Sequence, residues 1–229
     1  MHLDIPTSDL AGTVIPVRLQ RTPDVCPRCH RSIHAKFVVA AIQQERSLCQ
    51  VTFRCTHQLC QELFIATYSA LDRLPQGQIL HQFESVAPLS AARATFPESI
   101  SELSPTFVEI FNQTTEAESM QLDQLVGIGL RKALEFLIKD FAVAEHPGRE
   151  TEIRSTLLGN CITSFVADAN IKECAKRAAW LGNDETHYTR KWESKDVGDL
   201  KLLVRLTVNW IENSILTKKY IAEMVTGRA

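Results

Sequence analysis

Two pairs of cysteines constrain this chain more than any other feature. Cys26 and Cys29 flank two residues in Val25-Cys26-Pro27-Arg28-Cys29-His30, and Cys55 and Cys60 flank four in Arg54-Cys55-Thr56-His57-Gln58-Leu59-Cys60. Four thiolates carried on two short turns close a tetrahedral site around zinc, and the 25 residues between Cys29 and Cys55 suit that geometry. A site closed by four protein ligands leaves no position for water, so the expected ion is structural rather than catalytic. The wider second pair leaves His57 as an alternative ligand, with Cys49 a bystander.

The residues around these pairs read as strands. Apolar or alternating runs at 35–42, 48–54 and 62–68 hold the two turns, and 79–86 follows as a last strand after the turn at 74–77. We therefore expect a small β-rich zinc ribbon over 23–87. Residues 1–22, with a strand-like run at 13–19, read as an N-terminal arm or edge strand. Pro88 and Pro97, with many Ser and Ala residues, mark 88–104 as a linker.

From Ser104 onward the pattern becomes helical. Ser104-Pro105 supplies an N-cap and a first-turn proline for a helix to about Met120. Leu122, Leu125, Val126, Leu130, Ala133, Leu134, Leu137 and Phe141 then repeat at three-and-four spacing through about Ala144, the stripe of a core-facing helix. Further helices are expected over 150–166, 171–181 and from Asp196 or Val197 to about Val225. Short loops between long helices imply an antiparallel bundle over 105–229, so the expected fold class is α+β. Gly127 and Gly129 inside the second helix read as points of close helix packing, and Cys161 and Cys174 as buried thiols.

Charge narrows the partners. The net charge is −2, so no chain-wide polycation is offered to nucleic acid. Locally, six basic residues against two acidic ones between Arg18 and Arg46 make a basic patch. Arg28, Arg31, Lys36 and Arg46 are its candidate contacts for nucleic acid or a partner protein. No run approaches the roughly 18 apolar residues of a membrane span. The first ten residues also lack the basic start and apolar run of a signal peptide. A cytoplasmic chain with no membrane contact is expected, and there clustered cysteines are reduced and read as metal ligands before disulfides.

One further stretch carries candidate chemistry. Arg177-Ala178-Ala179-Trp180-Leu181 leads into Gly182-Asn183-Asp184-Glu185-Thr186-His187. If the chain is helical from Asn183, that residue and His187 share one face. The group can then serve as an acid/base pair, a ligand set, or simply a helix cap with Asn183 at the N-cap. No phosphate-cradling glycine loop and no nucleophile elbow occurs in the sequence.

Leu130-Arg131-Lys132-Ala133-Leu134-Glu135 and Gly182-Asn183-Asp184-Glu185-Thr186-His187, in this order and helical setting, resemble the domain-of-unknown-function family 4145. That family is a branch of the HEPN superfamily of helical bundles, and the resemblance spans about Ser104 to Val225. It implies a homodimer through the bundle and, in members that cut RNA, an Arg, a polar residue after it and a His a few positions on. Those act at the dimer interface without metal, through the RNA 2′-hydroxyl. On this sequence the polar residue matches Asn183 and the His matches His187, but the Arg position holds Gly182. A guanidinium there would stabilise charge on the scissile phosphate, and glycine cannot. His187 can still act as a general base, with Arg177, Arg190, Lys191 or Arg131 as alternative cations.

The resemblance thus implies a non-catalytic, dimerising binding protein of RNA, DNA or a partner protein, in a prokaryotic defence or restriction setting. The alternatives are a metal-independent ribonuclease using His187 with a relocated cation, and a scaffold subunit without nucleic-acid contact.

Overall fold

The N-terminal strands close on themselves. A computed structural model describes residues 3–9, 12–43, 47–74 and 78–224, and the chain divides into two units, Met1–Ala92 and Arg93–Ala229. In the first, β1 (Leu3–Ser8), β2 (Val14–Leu19), β3 (Lys36–Gln43), β4 (Leu48–Arg54), β5 (Leu63–Arg73) and β6 (Ile79–Ala87) form a closed barrel in the order β1-β2-β6-β5-β4-β3. The sheet is antiparallel from β3 through β6 and between β1 and β2; β2 runs parallel to β6, and β1 meets β3 in parallel at Ser8 and Ala41.

This corrects the expectation of a small zinc ribbon. The residues read as an arm supply two barrel strands that join the outer edges of β3 and β6, which removes both exposed sheet edges. Proline hid them, because it cannot donate to a ladder and so argues against a strand. Here Pro6 and Pro16 face each other in register, so both missing N–H groups fall on one rung. The alternation on either side then holds: Ile5, Thr7, Val17 and Leu19 are buried, and Ile5, Val17 and Leu19 meet Val51, Phe53, Phe64 and Tyr68 in one core.

Register also places the cysteines. Arg54 pairs with Lys36 on one side and Leu63 on the other. The turn after β4 and the connection into β3 therefore leave the same end of the barrel, and each carries one cysteine pair.

The second unit contains α1 (Glu98–Leu103), α2 (Pro105–Ser119), α3 (Asp123–Glu145), α4 (Glu150–Ser155), α5 (Leu158–Phe165), α6 (Ala169–Asp184) and α7 (Val197–Glu223). Helix α3 is central, touching α2, α5, α6 and α7. Its stripe of Val126, Leu130, Ala133, Leu134, Leu137 and Phe141 is buried as the spacing requires, whereas Leu122 and Leu125 stay exposed. Truncating Leu137 to Ala would cost about 2–5 kcal/mol. The helix expected over 150–166 is broken between α4 and α5. The helix expected from Ile171 starts earlier, where the Asp168 carboxylate accepts from the Asn170 and Ile171 N–H groups at 2.8 and 2.9 Å.

Glycines let helices meet. A Cβ at Gly129 would collide with Thr114 of α2, and one at Gly127 with Glu185 just past α6. Among the described residues no helix is long and apolar enough to cross a membrane.

Candidate functional site

The sulfurs of Cys26, Cys29, Cys55 and Cys60 all lie within 4.8 Å of one another. Across the pairs, Cys26 Sγ stands 4.0 Å from Cys60 Sγ, and Cys29 Sγ 3.8 Å from Cys55 Sγ. Sulfurs at the corners of a tetrahedron with a metal–sulfur bond of about 2.3 Å are separated by about 3.8 Å. The donor set therefore fits one tetrahedral metal ion.

Both turns are built alike. The Arg28 N–H donates to Cys26 Sγ and the His57 N–H to Cys55 Sγ, each at 3.4 Å. Each turn closes at its base, where the Cys26 N–H donates to the Arg31 carbonyl at 3.1 Å and the Cys55 N–H to the Glu62 carbonyl at 2.9 Å. The residue after each second cysteine is left-handed: His30 has φ 56° and Gln61 φ 52°. Among the described residues the cluster contains the four cysteines and not His57. Cys49 is buried in the barrel core, which pushes its thiol up to about 11.

Electrostatics couples the four thiols. Burial, with its neighbouring thiols, pushes the Cys55 thiol up to about 12 and raises Cys60 as well. At Cys29 the same burial is outweighed by the Arg31 N–H and the neighbouring thiols together, so its thiol is lowered. Packing four thiolates into this space is unfavourable until a dication offsets the charge.

The cations around the cluster are exposed. Arg28 sits between Cys26 and Cys29, Arg31 follows Cys29, and Lys36 opens β3. Arg46 lies outside the described residues. Arg54 joins this end of the barrel through its register with Lys36, and its guanidinium donates to the Gln61 carbonyl and Oε1 at 3.1 Å each. Arg54 stands directly before Cys55, outside the run from Arg18 to Arg46 that defined the basic patch, so adjacency to the cysteine was the signal that would have found it.

In the second unit the stretch around His187 takes a different form from the expected helix. Asn183 occupies the last turn of α6 rather than an N-cap, and the helix ends at Asp184. His187 follows on an exposed turn, so the two share no helix face. They do line one open hollow of about 520 Å³, together with Trp180, Asp184, Lys191 and Trp192. Buried Asp184 shapes it: one carboxylate oxygen accepts from the Lys191 and Trp192 N–H groups at 2.9 and 2.7 Å, folding the chain back. That fold-back lays Trp192 on Trp180, rings 5.9 Å apart and tilted by 8°.

The proposed alternative cations separate clearly. Arg131 Nε donates to Asn183 Oδ1 at 3.0 Å, and Arg131 also pairs with Glu135 at 3.3 Å. Arg177 pairs with Glu173 and Arg190 with Glu185. Lys191 points its backbone at Asp184 and, among the described residues, pairs with no carboxylate.

Compared with protein-family models, with curated proteins and with solved structures, the chain has no match.

Proposed function

We propose that this chain is a non-catalytic nucleic-acid-binding protein whose barrel holds a structural zinc ion beside a basic rim. One observation carries the reading: the turns that would hold the metal also fix the exposed arginines. Arg28 is anchored through its N–H on Cys26 Sγ, and Arg31 through its carbonyl on the Cys26 N–H. Ordering these turns around zinc sets the spacing of two guanidinium groups that suit phosphate oxygens. Lys36 extends the rim along the barrel end.

The test is oligonucleotide binding by anisotropy at several salt concentrations. Arg28→Gln and Arg31→Gln should each weaken binding and reduce the salt slope by about 1. Stripping the metal should abolish it. Affinity indifferent to salt, to both substitutions and to the metal would leave a scaffold without nucleic-acid contact.

Dimerisation through the helical unit belongs to the same proposal. The end of α7 and the residue after it leave Leu216, Tyr220, Ile221 and Met224 exposed, at 37%, 58%, 69% and 72%. Sedimentation that stays monomeric at high concentration would remove this part.

A second reading, a metal-independent ribonuclease, is favoured by the position of Arg131. Its guanidinium lies against Asn183, beside the glycine that stands at the expected Arg position. RNA cleavage in EDTA by the wild type, lost in both His187→Ala and Arg131→Gln, would support this reading over the first. No cleavage by the wild type would discard it.

A further inference from the structure

We propose that the hollow walled by Trp180 and Trp192 binds a small flat aromatic ring that bears an anionic group. The inference stands apart from the barrel's basic rim. Both indoles are about half exposed, at 44% and 45%, although each is large and apolar. The rings stack on each other and the Arg177 guanidinium lies 5.9 Å from the Trp180 centroid, so what the pair offers a planar ring is the apolar surface still exposed, and stacking there tolerates many ring types.

The rim of the hollow supplies the charge. The Lys191 ammonium has no carboxylate partner among the described residues. Asn183 uses its carbonyl oxygen to accept from Arg131, which turns its amide nitrogen into the free donor of that side chain. His187 is exposed on the turn beside them. Among the described residues lining the hollow the acidic group is Asp184, which is buried at 6% exposure and engaged with two N–H groups, so it shapes the floor rather than the rim. An ammonium and an amide N–H beside an apolar wall select for an anion attached to a ring.

Two sources carry this chemistry, nucleoside monophosphates and aromatic carboxylates, and both are used as probes. The experiment is calorimetry on the full chain with adenosine 5′-monophosphate, 2-naphthoate and uncharged adenosine. At least one anionic ring should bind at about millimolar concentration or below, with adenosine about ten-fold weaker than its monophosphate where the latter binds. Lys191→Gln, an exposed substitution, should weaken the anionic ligand about ten-fold and leave its melting temperature unchanged. Trp192→Ala should abolish binding of all three. If Trp192→Ala does not fold, Lys191→Gln decides. A preference for the monophosphate assigns the site to nucleotides, and a preference for naphthoate assigns it to aromatic acids. No heat from either anionic ring at about 5 mM, or binding that Lys191→Gln leaves unchanged, overturns the proposal. Arg31→Gln should leave this binding intact while weakening oligonucleotides, so the two sites fail independently.

Discussion

Arg131 fills the space that a side chain at residue 182 would need. A Cβ built on Gly182 would meet Arg131 Cδ at 2.6 Å, while Arg131 Nε reaches Asn183 Oδ1 at 3.0 Å. The glycine thus admits an arginine from another helix, and a long polar side chain joins α3 to α6 beside the apolar core they share.

Gly182→Ala should therefore destabilise the helical unit by about 1–3 kcal/mol, the cost of overpacking a tight contact. Arg131→Ala alone should cost about 1 kcal/mol, through a lost hydrogen bond and a partly exposed pair. The double variant should be more stable than Gly182→Ala, since the Cδ and Cγ contacts are gone and only the close approach to the Cβ of residue 131, at 2.8 Å, remains. Chemical denaturation of the four proteins measures the coupling. Additive losses would show that the two residues do not share this space.

The metal cluster makes the next expectation. Wild-type protein should carry about one zinc ion per chain, and Cys26→Ser or Cys55→Ser should lose it. The barrel should then melt at lower temperature, because metal binding to a folded site adds directly to folding free energy. Elemental analysis beside thermal melts reads both quantities. Equal zinc in mutant and wild type would count against the site.

The turns around that cluster carry a backbone signature as well. His30 and Gln61 adopt left-handed φ angles that cost an ordinary side chain about 1–2 kcal/mol. His30→Val should destabilise the metal-loaded barrel by at least about 1 kcal/mol, since a β-branched residue tolerates this region worst. His30→Gly should be nearly neutral, as relief of strain offsets added freedom in the unfolded chain. Zinc affinity by competition with a chelator should follow the same order.

Much of this is legible in the sequence, for reasons that differ by element. The alternation of β4 and β5 and the stripe of α3 announce themselves, because burial on one face forces the pattern, whereas β3 and β6 show as apolar, β-rich runs. Pro6 and Pro16 concealed β1 and β2, since only register shows that they share a rung. The break between α4 and α5 was hidden because Ile153, Leu158, Ile162 and Phe165 keep near-helical spacing across it, while Leu157 stays 77% exposed. The cysteines needed only spacing. The hollow had no periodic signal at all: it depends on Asp184 accepting from N–H groups seven and eight residues later.

Asp184 therefore has an expected phenotype. Asp184→Ala should cost about 1–3 kcal/mol by leaving two backbone N–H groups without their acceptor. It should also release Trp192 from Trp180, which near-ultraviolet circular dichroism detects as loss of the coupled indole signal. Asp184→Asn keeps a carbonyl acceptor and should retain most of that signal. An unchanged spectrum in Asp184→Ala would mean that the indoles hold each other without the carboxylate.

His81 contributes to the response of the barrel to acid. It is fully buried, its Nδ1 lies 3.2 Å from the Ile79 carbonyl, and its Nε2 has no partner among the described residues. Burial holds its pKa below the ordinary value of 6.5, against a smaller raising effect of the Ile79 carbonyl. Below 6.5 the unfolded chain takes up a proton at this residue before the folded chain does, which favours unfolding. Stability from His81 is thus fully present above about pH 6.5 and is lost as pH falls toward the folded pKa. Between about pH 7.5 and 5.5 the wild type should lose more stability than His81→Phe, in which nothing titrates at this position. Urea unfolding of the zinc-loaded proteins at both pH values gives the difference, with zinc content checked at each so that metal loss is separated from the histidine. Equal pH dependence in the two proteins would mean that the folded barrel accepts the imidazolium without penalty, despite the burial of an Nε2 with no partner among the described residues.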